Sequence, residues 1–129
     1  MAIADKVVDA SALGALAFGE AESAMVLTEL SESRLLSPRL LPYEIASIAR
    51  KKIKSHPDAR RAIEVSLAEA LAMPIALVDV NYFDVVRLSS QSNLSTYDAS
   101  YLWLAVRLDV PIVTLDRRLM TAAGRLSAF

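Results

Sequence analysis

The sequence contains no cysteine, so disulfides, thiolate metal sites and thiol nucleophiles are all excluded. Its single histidine, His56, stands in a Ser-His-Pro turn, and a Ser-His-Asp hydrolase would have to rest on that one loop residue. Glycine is scarce at 3 residues, and no Gly-rich phosphate loop or low-complexity linker is present. No apolar run reaches the roughly 20 residues needed to span a bilayer, because charges interrupt every candidate. The apolar stretch from Ala10 to Gly19 is preceded by Asp5 and Asp9 where an export signal would carry positive charge, so a cytoplasmic protein is expected. The Asn93-Leu94-Ser95 glycosylation match is accordingly without meaning. Charge of one sign is also lacking: 14 basic and 15 acidic residues give a net charge of −1, and any polyanion would have to be met by a local patch.

What is present is apolar. Hydrophobic residues make up 54% of the 129, an excess that an oligomer or a tight partner would cover. The length suits a single domain, residues 1–129.

Short apolar runs alternate with helical spacing along the chain. Strands are expected at Lys6–Val8, Leu35–Pro38, Ile75–Val78 and Pro111–Leu115. Helices are expected from Ser11, then over Glu20–Ser33, Leu40–Lys54, Ala59–Ala72, Tyr82–Ser90, Thr96–Leu108 and Asp116–Ala123, the last closed by Gly124. Arg125–Phe129 would be an edge strand or a docked tail. This order predicts an α/β fold, an open parallel sheet of 4-5 strands with helices on both faces, because parallel strands need crossover connections.

Four acids occupy informative positions, each with a structural explanation of its own. Asp9 and Asp116 each follow a strand and precede a helix, where Asp caps free backbone N–H groups. Glu44 lies in a first helical turn, where the helix dipole favours negative charge by about 0.3–1 kcal/mol. Asp98 follows Ser95 by three residues in a capping-box pattern. Taken together they say more, because all strand-to-helix turns of a parallel sheet emerge at one carboxyl edge, where such folds keep their ligands. Converging carboxylates repel one another. A hard cation such as Mg²⁺ or Mn²⁺ relieves that conflict and suits an all-oxygen donor set, which points to phosphodiester hydrolysis.

The stretches "VVDASAL", "LPYEIASIARK", "LSTYDASYLWLA" and "PIVTLDRRL" resemble, in order and spacing, the four acidic blocks of PIN-domain ribonucleases, and the chain's size resembles the VapC toxins of toxin–antitoxin pairs. The resemblance implies a Mg²⁺- or Mn²⁺-dependent endoribonuclease toxin with Asp9, Glu44, Asp98 and Asp116 as catalytic metal-binding acids and Ser11 and Thr114 as polar support. It also implies a VapB-like antitoxin partner, an RNA substrate and a homodimer. Some members carry a further acid or polar residue two positions past the fourth acid; Arg118 stands there in this chain, which leaves the number of metal ions open.

Other features have competing readings. Arg117 and Arg118 are candidates for substrate phosphates or simply solvated surface. The "RKKIK" run at 50–54 serves RNA or antitoxin binding, or only complements a helix dipole. Tyr101 and Trp103, on the helix after Asp98, are candidates for stacking a base or simply core or interface aromatics. An aspartyl-nucleophile phosphatase is disfavoured because Asp9-Ala10-Ser11 is not Asp-x-Asp. The remaining alternative is a catalytically inactive PIN-like protein that binds antitoxin or RNA as a regulator.

Overall fold

A computed structural model describes residues 3–127, with side chains through residue 126. Strand β1 (Ala4–Val8) leads into helix α1 (Ala10–Ala17) and then α2 (Ser23–Leu30). Strand β2 (Ser33–Pro38) is followed by α3 (Leu41–Ser55) and, after a 3₁₀ turn at Pro57–Ala59, by α4 (Arg60–Leu71). Strand β3 (Ile75–Val78) precedes α5 (Tyr82–Ser92) and α6 (Thr96–Leu108), and β4 (Ile112–Val113) precedes α7 (Arg117–Ser127).

The four strands are parallel in the order β3-β2-β1-β4. The chain moves outward from β1 to β2 and β3, then crosses back beyond β1 to form β4. With right-handed crossovers, this reversal places α1–α4 on one face and α5 and α6 on the other. Accordingly α1, α3 and α4 pack together, while α6 lies against β1, β2 and β4 with α5 and α7 beside it. The reversal falls between β1 and β4, so a crevice opens beyond their carboxyl ends.

Burial of apolar side chains on both faces of the sheet holds these layers. Val7 and Val8 of β1 are inaccessible, with Leu13 and Ile45 on one side and Tyr101, Leu102 and Leu104 on the other. Each such aliphatic side chain contributes about 1.5–3 kcal/mol on burial. Gly14 lets α1 and α3 approach closely, since a Cβ there would stand 3.0 Å from Cδ1 of Ile48.

Several boundaries differ from the sequence expectation. The helix expected over Glu20–Ser33 is only Ser23–Leu30, because Gly19 turns the chain at φ 66° and Ser31 ends the helix on the Leu27 carbonyl. Ser33 then belongs to β2, paired with Ala4. The last strand is two residues rather than five, because the N–H groups of Leu115 and Asp116 are taken by the Ser11 and Thr114 hydroxyls instead of a neighbouring strand. Gly124 does not close the final helix: it lacks a positive φ, and α7 continues through it to Ser127. Residues 125–127 are therefore helical rather than an edge strand, and the rest of that expected tail, Ala128 and Phe129, lies outside the described residues.

Candidate active site

Asp9 sits where β1 hands over to α1, is 4% exposed, and has donors on both carboxylate oxygens. Oδ1 accepts from the Ala12 N–H at 3.0 Å, which is the helix cap, and from the Ser11 hydroxyl at 2.7 Å. Oδ2 accepts from the Thr114 hydroxyl at 2.5 Å. Each hydroxyl spends its one proton on Asp9, so its lone pairs are free to accept backbone N–H groups: Leu115 to Ser11 at 2.9 Å and Asp116 to Thr114 at 3.0 Å. These two hydroxyls bind the end of β1 to the turn after β4. They explain how a nearly buried carboxylate is tolerated, since a buried charge is costly unless hydrogen-bonded.

The other acids arrive from three further elements. Asp116 caps α7 by accepting the Leu119 N–H at 3.1 Å, so both strand-end aspartates cap helices as well as facing the crevice. Glu44 lies in the first turn of α3, and its Oε1 accepts the buried Tyr101 hydroxyl at 2.6 Å. At the start of α6, the Ser95 half of the capping box forms, with Ser95 Oγ accepting the Asp98 N–H at 3.1 Å. Asp9, Glu44, Asp98 and Asp116 line one cleft of about 620 Å³, together with Ser11, Lys51 and the three tyrosines 43, 97 and 101.

The electrostatics follow from that convergence. Burial pushes the Asp9 carboxyl above the ordinary 3.8; bonds from Thr114, Ala12 and Ser11 oppose the rise, and the charge of Asp116 adds to it. Glu44 is raised above 4.5 by burial and by the charges of Asp98 and Asp9, with the Tyr101 hydroxyl pulling the other way. Asp98 is raised by burial, then by Asp116 and Asp9, against the lowering effects of Ser95 and the Arg118 guanidinium. Tyr101 is itself driven well above the phenol range by burial and by Glu44, and remains a neutral donor.

Among the described residues, no three Asp, Glu or His side chains stand close enough to share a metal ion as they are placed. The donor chemistry nevertheless fits a hard cation. Every candidate ligand in the cleft is a carboxylate, and such ions take one or two carboxylates while keeping several waters.

Arg117 and Arg118 do not line the acid cleft. They border an adjoining cavity of about 510 Å³ between the end of α5 and α7, and Arg118 reaches the acids only through its field on Asp98. Of the 50–54 basic run, Lys51 faces the cleft, whereas Lys52 pairs with Glu20 and lies over the Phe18 ring. Trp103 is an ordinary packed aromatic, donating to Asp84 beneath Arg107. Tyr101 is different: it is a core residue, as one of its sequence readings expects, yet it also lines the cleft and donates its hydroxyl to Glu44. Its position three residues after Asp98, one turn along α6, was the available signal.

A family model described as PIN domain matches residues 6–125. The chain belongs to the PIN-domain family. It is 36% identical over 124 residues to Ribonuclease VapC1 of Mycobacterium tuberculosis, covering 92% of this chain and 90% of that protein. It is 32% identical over 118 residues to VapC ribonuclease Mb0985 of Mycobacterium bovis, covering 88% and 87%. In three dimensions it resembles PAE2754 from Pyrobaculum aerophilum, with a TM-score of 0.77, 26% identity and 98% of each chain covered. This PIN-domain chain thus shares its fold with a solved relative, and its own four acids line one cleft.

Proposed function

We propose that this PIN-domain chain is a metal-dependent endoribonuclease, the toxin of a type II toxin–antitoxin pair, that hydrolyses RNA phosphodiester bonds in the acid cleft. The observation that carries the reading is the meeting of four carboxylates from four separate chain segments in one cleft, held against their mutual repulsion. Curated relatives named as VapC ribonucleases, aligned over most of both chains, support RNA as the substrate.

Asp9, Glu44, Asp98 and Asp116 would hold Mg²⁺ or Mn²⁺. When bound, such an ion supplies a more acidic water and neutralises charge on the phosphodiester. Ser11 and Thr114 fix both oxygens of Asp9, and Tyr101 fixes one oxygen of Glu44, so rotation of these ligands is restrained before any ion arrives. Arg117 and Arg118 take flanking phosphates along the adjoining cavity.

A VapB-like antitoxin and a second copy of the chain are the proposed partners. Exposed Tyr82, Phe83 and Val86 on α5 support a partner-covered face. No helix among the described residues is long and apolar enough to cross a membrane, and a cytoplasmic location is proposed. Incubation of the purified chain with a broad RNA panel tests the activity: cleavage with Mn²⁺ or Mg²⁺ that stops in EDTA is expected. No cleavage of any RNA would leave the inactive, regulatory alternative.

A further inference from the structure

The acid cleft is lined by an exposed aromatic from each of two helices. Tyr43 immediately precedes Glu44 at the start of α3, and Tyr97 immediately precedes Asp98 at the start of α6. Both line the cleft, and both are largely open to solvent, at 81% and 63% exposure. Neither ring is needed to fill the core, in contrast to Tyr101, which is fully buried. Each stands in the first turn of a helix, next in sequence to an acid of the cleft.

The cleft's charge constrains how a nucleic acid strand can bind there. Four carboxylates outnumber the cleft's one basic side chain, Lys51, so apart from the ion at the scissile phosphate the side chains lining the cleft offer phosphates little attraction. Base faces are uncharged, and stacking on an aromatic ring is insensitive to that field. We infer that Tyr43 and Tyr97 are stacking residues, each holding one unpaired base beside the phosphate presented to the acids. The inference rests on the RNA-cleaving reading above and adds how the strand is held. Because every base has a π-face, the contribution is independent of sequence.

The test uses binding as well as cleavage. Affinity for a fluorescein-labelled single-stranded RNA is measured by anisotropy with Asp9→Asn as the cleavage-blocked parent, carrying Tyr43→Ala, Tyr97→Ala, Tyr43→Phe or Tyr97→Phe. Each alanine variant should weaken binding about 5- to 150-fold, the span expected for losing one stacked base, with a similar loss on RNAs of different sequence. Each phenylalanine variant should stay within about 3-fold, because the ring is kept. In the active chain the alanine changes should raise KM more than they lower kcat.

Unchanged affinity in the alanine variants of a chain that does cleave RNA would overturn the stacking role alone. Equal loss in phenylalanine and alanine variants would also overturn it, by assigning the effect to the hydroxyl. If the alanine changes spare RNA binding but convert a dimer to monomer in sedimentation, the rings serve copy-to-copy contact instead. A wild type that neither binds nor cleaves RNA would overturn the functional reading itself.

Discussion

Thr114 donates its hydroxyl to Oδ2 of Asp9 at 2.5 Å across 105 residues of sequence, while accepting the Asp116 N–H at 3.0 Å. One oxygen atom thereby connects two of the four acids. Thr114→Val keeps the shape but leaves a buried carboxylate oxygen and a backbone N–H without partners. The expected loss is about 2–4 kcal/mol in chemical denaturation, combining a charged and a neutral hydrogen bond. Thr114→Ser, which retains the hydroxyl, should recover most of it. A valine variant as stable as wild type would show that water replaces the bridge.

The Tyr101 hydroxyl holds Glu44 from beneath the cleft at 2.6 Å. Tyr101→Phe keeps the ring in the core and frees the carboxylate, so stability should change little beyond the lost bond. Activity should fall about 10- to 100-fold, the usual effect of removing a partner that orients a ligand. Measuring kcat beside a denaturation curve separates the two. An unaffected kcat would return Tyr101 to a packing role.

Acidity provides a third test. In the folded chain Asp9, Glu44 and Asp98 bind protons at higher pH than the ordinary 3.8 and 4.5, so above those values the folded state holds more protons than the unfolded. Their contribution to stability is therefore greatest at acid pH and is lost as pH rises through the raised folded values. Asp98→Asn removes one such group. In EDTA, its Tm relative to wild type should improve from acid toward neutral pH. A difference that is flat or reversed would mean that the acids do not strain the metal-free fold.

If the cleft binds Mn²⁺ or Mg²⁺ in the folded state alone, saturating ion should raise Tm by on the order of 5–15 °C. The shift should shrink in Asp116→Asn, and also on acidification, where protons compete for the carboxylates. Differential scanning fluorimetry with and without EDTA measures this directly. A shift of equal size in wild type and variant would locate the ion elsewhere.

Much of this architecture was legible in the sequence because its signals are local. Asp9 and Asp116 follow β-branched runs, Glu44 follows Pro42 at a helix start, and Asp98 follows a Ser cap; a parallel sheet then forces the strand-end acids to one edge. What was not legible depends on contacts between distant segments. The brevity of β4 arises from hydroxyls of Ser11 and Thr114 taking the next N–H groups, which no propensity records. Tyr101 looked like core because it is core, and its second role exists only through a partner 57 residues away. Arg117 and Arg118 adjoin Asp116 in sequence, yet helix geometry turns them toward a different cavity.

The central claim is that the four acids form one catalytic site, and the most direct measurement is metal-dependent RNA cleavage by Asp9→Asn, Glu44→Gln, Asp98→Asn and Asp116→Asn, each checked for folding by thermal melt. Every amide preserves shape and can still accept a hydrogen bond while removing the charge. The account predicts that all four remain folded and lose more activity than the roughly 100-fold expected for an outer-shell partner. A folded variant at any of these positions that cleaves RNA at the wild-type rate would contradict it.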